Sequence, residues 1–142
     1  MGEIRECYNT GMIESTGNNT NGDCELGGIA GATVANTIIT TCYNRGEIKG
    51  SHKLIGGIVG NLNIGATVEY CYNTFTIQES QEQKAGPIIG DSSRLSAVQN
   101  CYYLGNETNG MSRTEADMKT QDFINLIGGN TYWKLDTQNK NN

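Results

Sequence analysis

The stretch "CYNRG" at residues 42–46 is one of four approximate copies of the same short sequence. The other copies, "CYNTG", "CYNTF" and "CYYLG", begin at Cys7, Cys71 and Cys101. Successive cysteines are therefore 35, 29 and 30 residues apart. Internal similarity at a nearly constant period indicates a repeat protein, in which each unit packs against its neighbours.

A second element, rich in glycine, recurs between the cysteines. The stretches "GGIAG", "GGIVG" and "GPIIG" end at Gly31, Gly60 and Gly90, in each case 11 residues before the next cysteine. The part of the repeat that precedes this element varies in length, and in the first repeat it carries a polar insertion at residues 15–25. Polar stretches of variable length are typical of surface loops, so we expect a loop there.

Each repeat also contains three short apolar stretches, which glycine or asparagine separates and which are too short for helices. Their β-branched residues recur at equivalent places: Ile4, Ile39, Val68 and Val98; Ile13, Ile48 and Ile77; Ile29, Ile58 and Ile88. Short strands that cannot bury an apolar side alone predict an all-β fold built by stacking. The specific prediction is a short right-handed parallel β-solenoid, or β-helix, of about three coils.

In such a stack, equivalent residues of successive coils lie about 4.8 Å apart and form columns. Asparagine side chains in a column can hydrogen-bond to one another along the axis. The "Asn-x-Gly" sequence after each tyrosine is predicted to form a corner, because Asn and Gly tolerate positive φ. The third repeat has Phe75 and Pro87 in place of glycines, so we expect its local geometry to differ.

The sequence does not decide whether the cysteines point into the core or outward. The apolar residue three positions before each cysteine cannot share a face with it on a straight strand, because side chains alternate. Either a bulge intervenes, or one of the two columns points outward.

The repeat pattern occupies residues 1–110, with units that start near residues 7, 42, 71 and 101. Residues 111–142 are predicted to form a C-terminal helix and cap segment. Residues 111–129 are predicted to be a capping helix that starts at Ser112 or Thr114 and covers the open end of the stack. Its expected apolar residues are Met118, Phe123, Leu126 and Ile127. Residues 131–137 are predicted to return as a strand, with Trp133 packed over the last coil.

Charge and hydropathy exclude several classes of function. The net charge is −5 and there is no run of basic residues, so nucleic acid is not an expected partner. No segment approaches the length of an apolar membrane helix, and "MGEIRECYN" lacks the apolar part of a signal peptide. These observations allow either a cytoplasmic protein or a piece of a longer exported one.

The combination of "CYNRG" with "Gly-Gly-Ile-x-Gly" at residues 27–31 and 56–60 resembles the GLUG-motif repeats of bacterial cell-surface proteins. The ending "YYLG", "MSRTEADM" and "LIGG" is similar to the segment that commonly follows such repeats. The resemblance covers nearly the whole chain. It implies a non-enzymatic, extracellular module of an adhesin-like or IgA-peptidase-type surface protein, excised from a larger chain. Implied partners are a host protein, a glycan, a cell-wall component and adjoining domains.

The cysteines suggest chemistry only when each copy is considered alone. A thiol nucleophile needs a base, and the one histidine, His52, lies in an unrepeated polar stretch. No two cysteines stand at the spacing of a zinc site. We therefore expect no catalytic residue, no metal and no cofactor. Buried free thiols are favoured over a disulfide within the column, and Cys24 has no obvious mate.

Two sharper hypotheses remain beside the structural one. A β-helix enzyme that acts on polysaccharide is the alternative function, with Glu47, Glu69 and Glu79 as possible outward carboxylates, although solvated surface charges are favoured. The tyrosine column (Tyr8, Tyr43, Tyr72 and Tyr102) could form a binding stripe, although burial is favoured. The inserted loop is the candidate contact with a partner, through Asn18, Asn19, Asn21 and Asp23. A calcium site in this loop is disfavoured because carboxylates are few.

Overall fold

A computed structural model describes residues 1–16, 25–50, 54–75, 77, 84–107 and 110–135. The described residues form sixteen short strands: β1 (Gly2–Arg5), β2 (Tyr8–Asn9), β3 (Ile13–Glu14), β4 (Glu25–Gly27), β5 (Ala30–Ala32), β6 (Thr37–Thr40), β7 (Tyr43–Asn44), β8 (Ile48–Lys49), β9 (Leu54–Gly56), β10 (Val59–Asn61), β11 (Thr67–Glu69), β12 (Tyr72–Asn73), β13 (Lys84–Gly86), β14 (Val98–Gln99), β15 (Tyr102–Leu104) and β16 (Ser112–Arg113). The helices are α1 (Glu115–Met118) and α2 (Gln121–Leu126), with 3-10 turns at Ser92–Ala97 and Gly129–Thr131.

The strands pair in five small parallel sheets. Their orders are β1-β6-β11-β14, β2-β7-β12-β15-β16, β3-β8, β4-β9-β13 and β5-β10. Strands that pair come from equivalent places in successive repeats, and their residues pair in register. Ile39 lies opposite both Ile4 and Val68, for example, and Tyr43 lies opposite both Tyr8 and Tyr72. The prediction of a mostly β fold with parallel strands is thus confirmed.

A corner of left-handed backbone precedes each repeated cysteine. The residues at this corner are Glu6, Thr41, Tyr70 and Asn100, with φ between 50° and 57°. The chain turns there from one sheet to the next, so Ile39 and Cys42 can both point inward, and both are 0 % exposed. This corner answers the question of sides that the sequence left open. The predicted corner at "Asn-x-Gly" is present, because β7 ends at Asn44 and β8, in another sheet, begins at Ile48. The predicted positive φ is not, since Asn44 and Gly46 both have negative φ.

The core combines residues of the predicted isoleucine/valine and cysteine columns with others that belong to no predicted column, such as Val59 and Leu62, and its main cluster does not include Ile48. Its central residues are Ile39, Ile58, Val59, Leu62, Val68 and Ile88, together with three cysteines. The glycine elements pair across repeats as well, since the Ile29 N–H donates to the Ile58 carbonyl and the Ile58 N–H donates to the Ile88 carbonyl, at 2.9 and 2.8 Å. The second and third repeats are buried most deeply because they have a neighbour on each side.

The single C-terminal helix predicted over residues 111–129 is wrong. The first part is strand β16, which pairs with β15, and the rest is the two short helices α1 and α2. Thr114 begins α1 with a capping box that it shares with Asp117. Thr120 ends this helix and begins α2, because its hydroxyl donates to the Asp117 carbonyl and accepts from the Phe123 N–H. Such side-chain bonds to backbone favour helix starts and break continuous helices.

The position of this segment also differs from the prediction. We call residues 114–135 the strap. Phe123 packs against Tyr72 and Tyr102, and Trp133 packs against Tyr43 and Tyr72. The strap therefore lies along the side of three successive repeats instead of over their end. Leu126 is 43 % exposed rather than buried, and residues 133–135 are not a strand.

Candidate functional site

A ladder of buried asparagine amides runs through the repeats. Asn9 Nδ2 donates to Asn44 Oδ1 at 2.9 Å, and Asn44 Nδ2 donates to Asn73 Oδ1 at 3.0 Å. Asn73 Nδ2 ends the ladder by donating to the Pro87 carbonyl at 2.9 Å. Asn44 and Asn73 are 0 % exposed. The predicted asparagine column is confirmed. The side-chain amides of these residues are hydrogen-bonded to other groups of the protein.

Each asparagine also holds the loop that follows it. The Gly46 N–H donates to Asn44 Oδ1 at 3.1 Å, and Asn44 Nδ2 donates to the Gly46 carbonyl at 3.0 Å. Phe75 makes the same two bonds with Asn73. Phe75 was expected to change the local geometry, but these two hydrogen bonds are the same as at Gly46. They involve only the backbone N–H and carbonyl of Phe75, so its side chain does not affect them.

The paired glycines fit against this ladder. A Cβ atom on Gly57 would collide with the Pro87 carbonyl and the Asn73 amide, and one on Gly28 would collide with the Gly57 carbonyl and the Asn44 side chain. The glycines of the repeated Gly-Gly pair are therefore needed because the backbone of the glycine element lies very close to the asparagine column. The second glycine is free to become proline in the third repeat, where the carbonyl of Pro87 accepts the last amide.

The cysteines form a second interior column. The Cys42 N–H donates to Cys71 Sγ at 3.3 Å, and the Cys71 N–H donates to Cys101 Sγ at 3.4 Å. Each thiol in turn donates to the carbonyl two residues before it, at 3.1–3.2 Å. The four cysteines of this column are free thiols. Cys42, Cys71 and Cys101 are buried as predicted, whereas Cys7 is exposed.

The chemistry of these thiols follows from their surroundings. Hydrogen bonding with Cys71 and burial raise the pKa of Cys42, and burial followed by the hydrogen bond with Cys101 raises the pKa of Cys71. A thiol with a raised pKa stays protonated at neutral pH, and the thiolate is the reactive form. Cys42 and Cys71 therefore contribute packing and hydrogen bonds.

The tyrosine row, comprising Tyr8, Tyr43, Tyr72 and Tyr102, lies on the side that the strap covers. Tyr8 stacks on Tyr43 with ring centres 5.2 Å apart, and Tyr43 stacks on Tyr72 at 5.0 Å, with interplanar angles of 8° and 4°. Exposure falls along the row from 65 % at Tyr8 to 9 % at Tyr102. The row is thus a stacked column that is exposed at one end and buried at the other. Neither an exposed binding stripe nor a buried column, the two alternatives considered from the sequence, describes all of it.

Two features close the buried end of the row. The Arg113 guanidinium lies 4.5 Å from the centre of the Tyr102 ring, a cation–π contact. The rings of Phe123 and Tyr102 meet edge to face at 5.8 Å. Neither contact was expected from the sequence. Phe123 and Ile127 were predicted to pack against the repeats, and Ile124, which was not, belongs to the same buried cluster.

Two open clefts lie beside the repeats. One, of about 160 Å³, lies between the strap and the tyrosine row and is lined by Glu6, Cys7, Thr41, Tyr43, Tyr132 and Trp133. The other, of about 360 Å³, lies around Pro87, Tyr103 and Glu107. Each has a single carboxylate among its lining residues, whereas glycoside hydrolysis uses two.

The three glutamates proposed as outward carboxylates have different surroundings where the structure describes them. Glu47 forms an exposed ion pair with Lys49 at 3.0 Å, Glu69 lies in β11, and Glu79 is outside the described residues. Among the residues that the structure describes, carboxyl groups with shifted pKa values include Glu107, Glu115 and Asp117. In each the pKa is lowered, by backbone hydrogen bonding at Glu107, by Lys119 at Glu115 and by Thr114 at Asp117. A general acid needs the opposite shift.

Other predicted features have only a partial outcome. Asn18, Asn19, Asn21 and Asp23 of the candidate contact loop, like Cys24 and His52, lie outside the described residues. Within the described ranges, no three His, Cys, Asp or Glu side chains cluster as a metal site would require. In the same part of the chain, no helix has the length and apolar character needed to cross a membrane.

Comparison of the chain with protein-family models, with curated proteins and with solved structures returned no significant match.

Proposed function

We propose that this chain is a non-enzymatic repeat module of an exported bacterial cell-surface protein, of the kind that the GLUG-like motifs imply. In this proposal its sheets wind as one short right-handed β-solenoid of about three coils. The module acts as a rigid spacer that can carry an adhesion surface. The observation that supports it best is the in-register parallel pairing of equivalent residues from successive repeats.

The side-chain bonding supports a structural role for the repeated polar residues. Asn44 bonds to Asn9 and Asn73, and the backbone of Cys42 bonds to the thiol of Cys71. These groups are occupied by equivalent groups one repeat away, so a substrate has no access to them. A column of this kind resists shear between repeats because every rung is tied to the next.

The spacer role can be tested by changing the number of repeats. One, two or three copies of residues 42–70 are inserted between Tyr70 and Cys71, and small-angle X-ray scattering measures the length. A rigid stack grows by about 4.8 Å per copy, in proportion to the number of copies. A flexible insert instead spans about 5–6 Å times the square root of its number of residues, which is roughly 30 Å for the first copy with smaller increments after it. Growth of that size would contradict the proposal.

The adhesion role is placed in the inserted loop around Asn18, Asn19, Asn21 and Asp23. The protein and a variant without residues 17–24 are compared on arrays of host proteins, glycans and cell-wall fragments. Binding that is lost with the loop, while Cys71 remains protected from alkylation, supports the proposal. Equal binding by both chains excludes the loop, and release of reducing ends from a glycan would support an enzyme instead.

A further inference from the structure

We propose that the N-terminal face of the stack is the docking site for one more repeat unit, a polypeptide coil that carries the same isoleucine, cysteine, tyrosine and asparagine columns. This inference rests on the stacked architecture proposed above. It goes beyond the spacer role because it assigns a binding face and states the chemistry of its partner.

The strands of the first repeat are all edge strands. Each of β1 to β5 pairs with a strand of the second repeat on one side, and among the described residues it has no neighbour on the other. Ile4 is half-buried, whereas its counterpart Ile39 is completely buried. Unpaired strand edges expose backbone groups that can add a further strand.

Polar groups on this face lack the partner that their counterparts have. Asn44 Oδ1 accepts from both Asn9 Nδ2 and the Gly46 N–H, while Asn9 Oδ1 accepts only from the Gly11 N–H within the described residues. Cys71 Sγ accepts from the Cys42 N–H of the preceding repeat. The corresponding place beside Cys7 Sγ is filled by no group in the described part of the chain. An asparagine amide and a cysteine N–H in register would fill both places.

Among the described residues, the aromatic column differs at its two members Tyr43 and Tyr8 in the same way. Tyr43 has a parallel ring on each side, at 5.2 and 5.0 Å, whereas Tyr8 has one such neighbour and is 65 % exposed. Parallel rings at this distance recur when a tyrosine of an added coil follows the same register. The charged residues of β1 do not obstruct it, because Glu3 and Arg5 stand in the columns of Ile38 and Thr40, outside the core.

The C-terminal end of a second copy does not have the shape of this partner. Its last tyrosine, Tyr102, is covered by Arg113 at 4.5 Å, so it offers no ring face to Tyr8. Strand β16 also extends only one of the sheets beyond the fourth repeat, which leaves a step at that end. A unit with all four columns fits the flat N-terminal face better than this stepped end does.

The test adds such a unit in the same chain. A second copy of residues 37–65 is placed directly ahead of Gly2. Glu3 and Thr67 both pair with Ile38, so Gly2 occupies the same position in its repeat as Ala66. Gly2 can therefore follow residue 65 of the added copy without a change of register. Both chains carry Cys24→Ser. The alkylation rate of Cys7 is measured by peptide mass spectrometry, and protection of Cys71 reports that the original repeats are folded.

Docking is expected to slow alkylation of Cys7 by about tenfold or more, because the thiol reacts only when the added unit opens. A control chain of equal length carries Ile39→Asp and Tyr43→Ser in the added copy only, and its Cys7 should react at the original rate. Equal Cys7 rates in the extended and original chains, with Cys71 protected in both, would overturn the proposal.

Two further outcomes are decisive. If alkylation of Cys7 in the original chain slows as protein concentration rises, a second copy occupies the face and the assigned partner is wrong. If the internal insertions lengthen the stack but the added unit leaves Cys7 reactive, the docking proposal fails while the spacer role stands.

Discussion

The side-chain amide of Asn44 donates to the side-chain oxygen of Asn73 at 3.0 Å, and both residues are completely buried. Equivalent residues of two repeats, 29 positions apart, are thus joined by a bond that water cannot replace. This relationship makes the ladder a main source of specificity for the register, because a slip by one residue would leave both amides unsatisfied.

Asn44→Ala is predicted to lower the free energy of unfolding by about 3 kcal/mol, because it leaves several buried partners without a hydrogen bond. Asn9→Ala, at the exposed end of the same ladder, is the matched control and should cost about 1 kcal/mol. Urea denaturation of both variants measures the difference. An equal loss in the two variants would show that burial does not set the strength of the ladder.

Stability is predicted to fall at alkaline pH. The pKa of the buried Cys71 thiol is raised above its ordinary value of 9.0, so below that pH the thiol is protonated in both states. Above it the unfolded chain loses the proton and the folded chain keeps it, which favours unfolding by about 1.4 kcal/mol per pH unit. Cys71→Ala should reduce the slope of unfolding free energy against pH by that amount. An unchanged slope between pH 9 and 10 would contradict the assignment.

The columns could be predicted from the sequence because their spacing is nearly fixed. Ile39 and Val68 pair as expected, and the asparagines stack, since stacking is the way in which repeats of this length bury their apolar residues. The corner before each cysteine gave no signal, because Glu6, Thr41 and Tyr70 share no side-chain property. Each of these residues lies between a strand of one sheet and a strand of the next.

The strap was predicted with the correct kind of residue but in the wrong place. The sequence shows that Phe123 and Ile127 need an apolar partner, but not whether the partner is the end or the side of the repeats. The answer depends on the ring faces of Tyr72 and Tyr102, which the strap covers. Packing between residues this far apart in the chain produces no periodic pattern in the sequence.

Gly57→Ala is predicted to destabilise the protein by more than about 3 kcal/mol, because the new methyl group meets backbone at Pro87 and the amide of Asn73. Gly11→Ala is the control, since its Cβ would lie 3.7 Å from Asn9 Oδ1, an ordinary contact. Thermal unfolding followed by circular dichroism compares the two. Equal melting temperatures would mean that the glycine element can move away from the ladder.

Detachment of the strap should be separable from unfolding of the repeats. Phe123→Ala removes the ring that packs on Tyr72 and Tyr102, at a cost of about 3 kcal/mol to a small cluster. Trp133, the single tryptophan, should then shift its emission to longer wavelength and become more accessible to acrylamide.

Leu126→Ala is the matched control on the same helix, because Leu126 is already 43 % exposed, and it should leave the emission of Trp133 unchanged. Alkylation of Cys71 measured in parallel reports on the repeats, whose core does not include the strap. Protection of Cys71 that survives in Phe123→Ala would show that the stack holds without its side cover. If Cys71 became reactive together with the shift of Trp133, the strap and the repeats would have to form one cooperative unit.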